Sequence, residues 1–246
     1  MSEELHAIIL AGGKGTRMHS DMPKCAYPFC GKPMINYIID SCKQLNIKDI
    51  IVVVGYKAEE LIKCLPSDVK YVTQHEQLGT GHATMCAKSL LEGKSGLTLI
   101  FPGDMPLIDK ETISNLVETH KREKNALTDI TIILDDPGAY GRIERENGQI
   151  KRVVEFKDCN EEQKKIKEIN VALYCVDNLL LFDALDKIGN NNNAKEYYLT
   201  DIVEILARDY KVDAYVAPND YRLLGINDLE TLAKVEEEYK KHVNKN

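Results

Sequence analysis

The 246-residue sequence predicts an α/β fold: a doubly wound, mostly parallel sheet with a smaller mixed or antiparallel lobe. Three observations predict it. Apolar runs without polar alternation at 6–10, 50–54 and 97–101 suit strands covered on both faces. Segments with apolar residues at helical spacing separate these runs. Beyond residue 125 the pattern changes to short apolar runs around a stretch rich in turn residues.

Taken in order, the first strand at 6–10 leads into a glycine-rich loop, and a helix follows at 33–45 with Pro33 near its first turn. A strand at 50–54, a helix at 58–65, a strand at 71–73, a helix at 81–92 and a strand at 97–101 continue the alternation. In such sheets ligands bind beyond the carboxyl ends of the strands. Strands at 129–134 and 151–156 then flank Pro137, Gly138, Gly141 and Asn147-Gly148, which mark turns in a partly antiparallel lobe. After a polar loop at 190–193 come a helix at 197–208, a strand at 212–216 and a charged amphipathic helix at about 228–242, packed by one face. Without an internal repeat or a linker, residues 1–246 read as a single domain of two lobes, about 1–110 and about 125–225, closed by that helix.

With 43% hydrophobic residues the chain can bury one sizeable core. A formal net charge of −7 argues against a general nucleic-acid binder, which carries a basic domain or stripe. The seven cysteines are scattered, without a CxxC pair or zinc-like spacing, and read as free thiols of a reducing cytosol. The acidic opening lacks the basic region of a signal peptide, and no apolar run approaches the ~20 residues that span a bilayer, so a cytoplasmic protein away from membranes is expected.

The loop Leu10-Ala-Gly-Gly-Lys-Gly-Thr-Arg-Met18 links strand to helix through Pro23-Lys24. Glycines at 12, 13 and 15 permit a sharp turn that brings backbone N–H groups onto a ligand oxygen, and Lys14, Arg17 and Lys24 add positive charge. A tight turn in any α/β protein can share these residues. The Walker loop is excluded because no Lys-Ser/Thr pair ends the run, and the dinucleotide fingerprint because Met18 stands at its third glycine.

This loop resembles that of the sugar-phosphate nucleotidyltransferases, whose opening loop wraps a nucleoside triphosphate. Further segments resemble, in order, one branch: the uridylyltransferase (pyrophosphorylase) part of the bacterial bifunctional enzymes that make UDP-N-acetylglucosamine. They are Gln74-His-Glu-Gln-Leu-Gly-Thr-Gly-His-Ala83, Gly103-Asp-Met-Pro-Leu-Ile108, Tyr140-Gly-Arg-Ile-Glu-Arg-Glu-Asn-Gly148 with Val154-Glu-Phe-Lys-Asp158, and Glu168-Ile-Asn170 with Glu196-Tyr-Tyr-Leu-Thr-Asp201.

The resemblance implies a Rossmann-like nucleotidyltransferase fold and a set of roles. Leu10, Ala11, Gly12, Gly13, Lys14 and Gly15 wrap the nucleotide, and Gln74, Gly79 and Thr80 hold the uracil. Gly103, Gly141, Glu155 and Asn170 meet the acceptor sugar, and Asp104 and Asn227 hold Mg²⁺. The residue chemistry agrees: an amide offers a donor and an acceptor to an imide edge, and Mg²⁺ takes one or two protein carboxylates with the rest of its shell from phosphate and water. Plainer readings stand beside these roles: Thr80 and Asn227 as helix caps, and Glu155 with Lys157 as a surface ion pair.

The implied reaction is attack by the phosphate oxygen of N-acetylglucosamine 1-phosphate on the α-phosphorus of UTP, with pyrophosphate leaving. Arg17 and Lys24 flank the transferring phosphate, and no protein nucleophile is needed. Where the family has Asn-Thr-Gly this chain has Asn170-Val-Ala172, and Pro102 stands where some members have tyrosine, so sugar identity is less fixed than the reaction. No β-helix repeat of the acetyltransferase follows, so acetyl transfer is not expected, and the oligomeric state stays open. The rivals are transfer to another sugar 1-phosphate or from another base, and a catalytically silent nucleotide-sensing subunit.

Overall fold

The computed structural model describes residues 4–243. The first three residues of the acidic opening lie outside them.

Strand β1 (Leu5–Leu10) has four consecutive buried residues, as its apolar run requires. Beyond the glycine loop, a two-residue hairpin of β2 (Pro28–Phe29) and β3 (Lys32–Pro33) leads into α1 (Met34–Gln44), whose Met34, Ile35, Ile38, Ile39 and Cys42 share the buried face. The fully buried β4 (Asp49–Val54), the short α2 (Ala58–Ile62) and β5 (Lys70–Thr73) come next. The helix expected at 81–92 is two helices, α3 (Thr80–Met85) and α4 (Lys88–Leu91). Between them the bonding tightens, Ala87 N donating to Thr84 O at 3.0 Å and Leu90 N to Ala87 O at 3.0 Å. The tighter turn leaves Ala87 and Leu91 both fully buried against the sheet.

Strand β6 (Leu97–Pro102) precedes α5 (Lys110–Glu123), a helix that the sequence reading left unassigned although Asp109 caps it, accepting from Thr112 N. Strand β7 (Leu127–Ile133) follows, then a hairpin of β8 (Arg142–Glu146) and β9 (Gln149–Val154), the one-turn α6 (Glu161–Lys164) and the long β10 (Glu168–Asp177). The chain closes with α7 (Asn178–Leu185), α8 (Asp201–Ala207), β11 (Val212–Val216) and α9 (Leu229–Val243). Helix α8 starts later than the sequence spacing predicts. Tyr197 is engaged elsewhere: its N–H donates to Leu78 O, and its carbonyl accepts from Gly81 N, both at 2.8 Å.

The main sheet runs β11-β7-β10-β6-β1-β4-β5. β6, β1, β4 and β5 are parallel, as are β7 and β11, while β10 is antiparallel to both β6 and β7. The antiparallel character of the second half thus enters as one strand inserted into a mostly parallel sheet, plus the β8–β9 hairpin, which joins β10 at Ile169 and Arg142. This polarity places the ends of the parallel strands and the beginning of β10 on one edge. The glycine loop, Gln74, Gly103 and Asn170 all gather there. One core packs under α1 and α5, and a second packs on the opposite face under α3, α4, α7 and α8.

Candidate active site

Ala11 continues the ladder of β1, its N–H donating to Val53 O at 2.9 Å, after which the chain turns and Gly12 O accepts from Tyr56 N. Leu10 O receives Gly103 N at 3.0 Å, which joins the ends of β1 and β6. Gly13 and Lys14 are exposed, with Lys14 Nζ 5.6 Å from the centre of the Tyr56 ring. Gly15 has φ 61°, and a Cβ there would stand 2.6 Å from Lys24 Cβ. Only glycine combines that backbone with so close a lysine stem.

Four residues from distant segments meet beside this loop. Lys24 Nζ donates to Asp104 Oδ2 at 2.5 Å and to Asn227 Oδ1 at 2.8 Å, and Arg17 Nη2 donates to the same Asn227 oxygen at 2.8 Å. A backbone bond from Ile226 N to Asp104 O, 2.9 Å, ties the two oxygen-bearing segments together. Asn227 does not cap α9. Asp228 does, its Oδ1 accepting from Thr231 N at 2.7 Å, while the Asn227 amide nitrogen donates to Gly225 O at 3.2 Å and its oxygen is left for the cations. The carboxylate and amide oxygens converge on one ammonium. That donor set, two hard oxygens, is of the kind that suits a divalent cation.

Gln74 is 4% exposed, and its Nε2 donates to Gly79 O at 3.0 Å and lies 3.1 Å from His82 Nδ1. Its Oε1 faces Gly12, 3.0 Å from where a Cβ on that glycine would sit. Gly79 has φ 112°, and a Cβ there would meet Tyr197 O at 2.5 Å. Thr80 makes no cap. Its hydroxyl instead accepts from Leu199 N at 3.0 Å, which helps pin the segment leading to α8.

Of the residues expected at the acceptor sugar, Gly141, Glu155 and Asn170 lie near one another, whereas Gly103 packs against Leu10 and Cys25. Asn170 N donates to Gly141 O at 3.0 Å, and a Cβ on Gly141 would sit 3.6 Å from Val154 O, next to Glu155. The Glu155 carboxyl accepts from the Thr200 hydroxyl at 3.2 Å, and burial, with Asp158 near, pushes its pKa up. A cleft of about 210 Å³ opens here between Ala139, Glu155 and Phe156 on one side and Glu196 and Tyr198 on the other.

Three residues have a place in this site that the sequence reading did not give them. Tyr140 lies near Gly225, Asp104 and Arg17, and burial raises the pKa of its phenol. Arg142, 2% exposed, donates to the carbonyls of Gly138 and Tyr140 and lies 5.5 Å from the Phe156 ring, so it fixes the loop before Gly141. Tyr174 lies behind Asn170. A fully buried arginine and tyrosine within apolar strands are the available signal, since such groups need partners.

A family model described as the MobA-like NTP transferase domain matches residues 7–139, more than half of the chain. The chain belongs to this family. MobA-like NTP transferases generally depend on a divalent metal. Among similar proteins, the bifunctional protein GlmU of Clostridium perfringens is 45% identical over 241 residues, covering 97% of this chain and 53% of that protein. That of Acholeplasma laidlawii is 44% identical, covering 98% and 52%. The chain thus spans about half the length of these relatives. A crystal structure of UDP-glucose pyrophosphorylase complexed with UDP-glucose superposes with a TM-score of 0.77 at 19% identity, covering 97% of this chain and 99% of that one. The likeness confirms the α/β fold with its mostly parallel sheet. No disulfide joins any of the seven cysteines, and no helix among the described residues is long and apolar enough to cross a membrane.

Proposed function

We propose that the protein joins UTP to N-acetylglucosamine 1-phosphate, forming UDP-N-acetylglucosamine and pyrophosphate in the cytoplasm. The observation that carries this reading is the convergence of Arg17, Lys24, Asp104 and Asn227 beside a glycine loop. The nucleotide takes the lobe of about 1–110 and the acceptor that of about 125–225.

The uracil rests against Ala11, Gly12 and the turn from Gln74 through Gly79 to Thr80. Because the Gln74 nitrogen is committed to Gly79 and His82, its Oε1 takes the imide N–H. The loop N–H groups with Lys14 hold the β- and γ-phosphates. Gly103, Gly141, Glu155 and Asn170 hold the sugar so that its phosphate oxygen faces the α-phosphorus. The new P–O bond forms as the bond to the β-phosphate oxygen breaks, and that oxygen keeps the electron pair and departs with pyrophosphate.

Lys24 and Arg17 neutralise charge on the transferring group, and holding the partners in line supplies much of the remainder. Asp104 and Asn227 would hold Mg²⁺, which when bound neutralises phosphate charge. The nearest thiol, Cys25, is no nucleophile: burial pushes its pKa up to about 12.

The test is pyrophosphate release with Mg²⁺, crossing UTP, dTTP, CTP and GTP with the 1-phosphates of N-acetylglucosamine, glucosamine and glucose. The proposal expects a maximum for UTP with N-acetylglucosamine 1-phosphate. A maximum for another pair would move the specificity, and no release with any pair would refute the enzyme.

A further inference from the structure

We propose that Tyr174 is a positioning residue for the acceptor sugar, holding the amide of Asn170 in one orientation through a left-handed turn at Ala172. The inference rests on Asn170 being an acceptor contact. An asparagine amide has two N–H bonds and two lone pairs on oxygen. In this protein one of each is committed: Nδ2 donates to the Tyr174 hydroxyl and Oδ1 accepts from Ala172 N, both at 2.7 Å. Two bonds to opposite ends of the amide fix its plane and prevent a flip that would exchange donor and acceptor. One N–H and one lone pair remain for a ligand, which is the complement of two neighbouring sugar hydroxyls.

The backbone is shaped for this. The ladder between β10 and β7 slips between Asn170 and Tyr174, and Ala172 within the slip has φ 64°. That conformation disfavours every residue with a Cβ. The slip folds the strand so that Ala172 N reaches back to Asn170 Oδ1, while Tyr174 re-enters the ladder opposite Asp129. Tyr174 is fully buried and Asn170 is 6% exposed, so water is a poor substitute for either bond. Burial, with Asp129 and Glu155 near, keeps the phenol protonated at any working pH.

Tyr174→Phe keeps the ring and removes only the hydroxyl. Calorimetric binding of UDP-N-acetylglucosamine and of UDP separates the sugar contribution from the nucleotide contribution. In Tyr174→Phe the Kd for the UDP-sugar should rise about tenfold, as for one lost buried hydrogen bond, with the Kd for UDP within twofold of wild type. A residue that only fills the core would not separate the two ligands.

The second arm is a cycle with Asn170→Ala. Because Tyr174 acts through Asn170, Tyr174→Phe should add no more than twofold in that background. An unchanged UDP-sugar affinity in the single variant, equal losses for both ligands, or full additivity would overturn the proposal. Wild-type protein binding UDP-N-acetylglucosamine no better than UDP would overturn the acceptor reading as well, and that result appears before any variant is made.

Discussion

At the end proposed to hold the phosphates, Arg17 and Lys24 of one loop meet Asp104 and Asn227 through charge-assisted hydrogen bonds, with the exposed loop of Gly13 and Lys14 beside them. At the end proposed to hold the acceptor, Gly141, Asn170 and Tyr174 are buried and neutral, and hold one another by backbone and amide bonds. The difference follows from what each end must bind. A transferring phosphoryl group is stabilised by fixed charge, which acts most strongly in the transition state. A sugar hydroxyl changes little during the reaction, so a pre-shaped set of donors and acceptors serves it equally in both states. Substitutions at the first end should therefore lower kcat, and at the second should raise KM for the sugar 1-phosphate.

The largest effect expected is on the first side. Lys24→Ala should lower kcat about a hundredfold, on the order of 3 kcal/mol as for other transition-state donors, with KM for the sugar 1-phosphate within a few-fold. Steady-state pyrophosphate release measures both, and a change confined to the sugar KM would break the comparison.

Asp129 sharpens the other side. It is fully buried opposite Tyr174, and burial, reinforced by Glu168, raises its pKa well above the ordinary carboxyl value. The folded state therefore keeps a proton that the unfolded chain loses above about pH 4. The contribution to stability is complete below that pH and is lost as pH rises toward the folded pKa. Asp129→Asn should thus gain stability relative to wild type as pH is raised from 4 to 8, read as the difference between urea midpoints. A constant difference would show that Asp129 is not held protonated.

A smaller effect belongs to Ala172. Ala172→Gly relieves the left-handed backbone, offset by greater entropy in the unfolded chain, and should stabilise by about 1 kcal/mol in the same denaturation experiment. Loss of stability would mean that the methyl group packs better than the backbone strain costs.

Legibility in the sequence divides along the same line. The pieces proposed to hold the phosphates are each local in the sequence, a glycine loop after an apolar run and an aspartate after a strand, with Asn227 named through the family resemblance. The plainer reading of Asn227, as the cap of α9, gives way to Asp228, since both are capping types and only the structure shows which meets Thr231 N. The strands β1, β4 and β6 followed from their apolar runs.

The antiparallel course of β10 did not, because pairing with β6 and β7 is settled by long-range contacts that leave no periodic signal. The part of the acceptor end built by that strand was hidden with it. Asn170 could be named, but the slip at Ala172 and the partnership with Tyr174 depend on register. Val171 and Ala172, which depart from the family pattern, lie at this slip: Val171 is buried in the core, and Ala172 supplies the backbone N–H that holds Asn170.

The measurement that bears most directly on direct transfer between two held phosphates is the fate of label from UTP marked at the α-phosphate, incubated with N-acetylglucosamine 1-phosphate and Mg²⁺. The account predicts label in UDP-N-acetylglucosamine, unlabelled pyrophosphate and no label on the protein after denaturation. Label on the protein would demand a covalent nucleotidyl intermediate, and label in free UMP would mean hydrolysis; either would contradict the account.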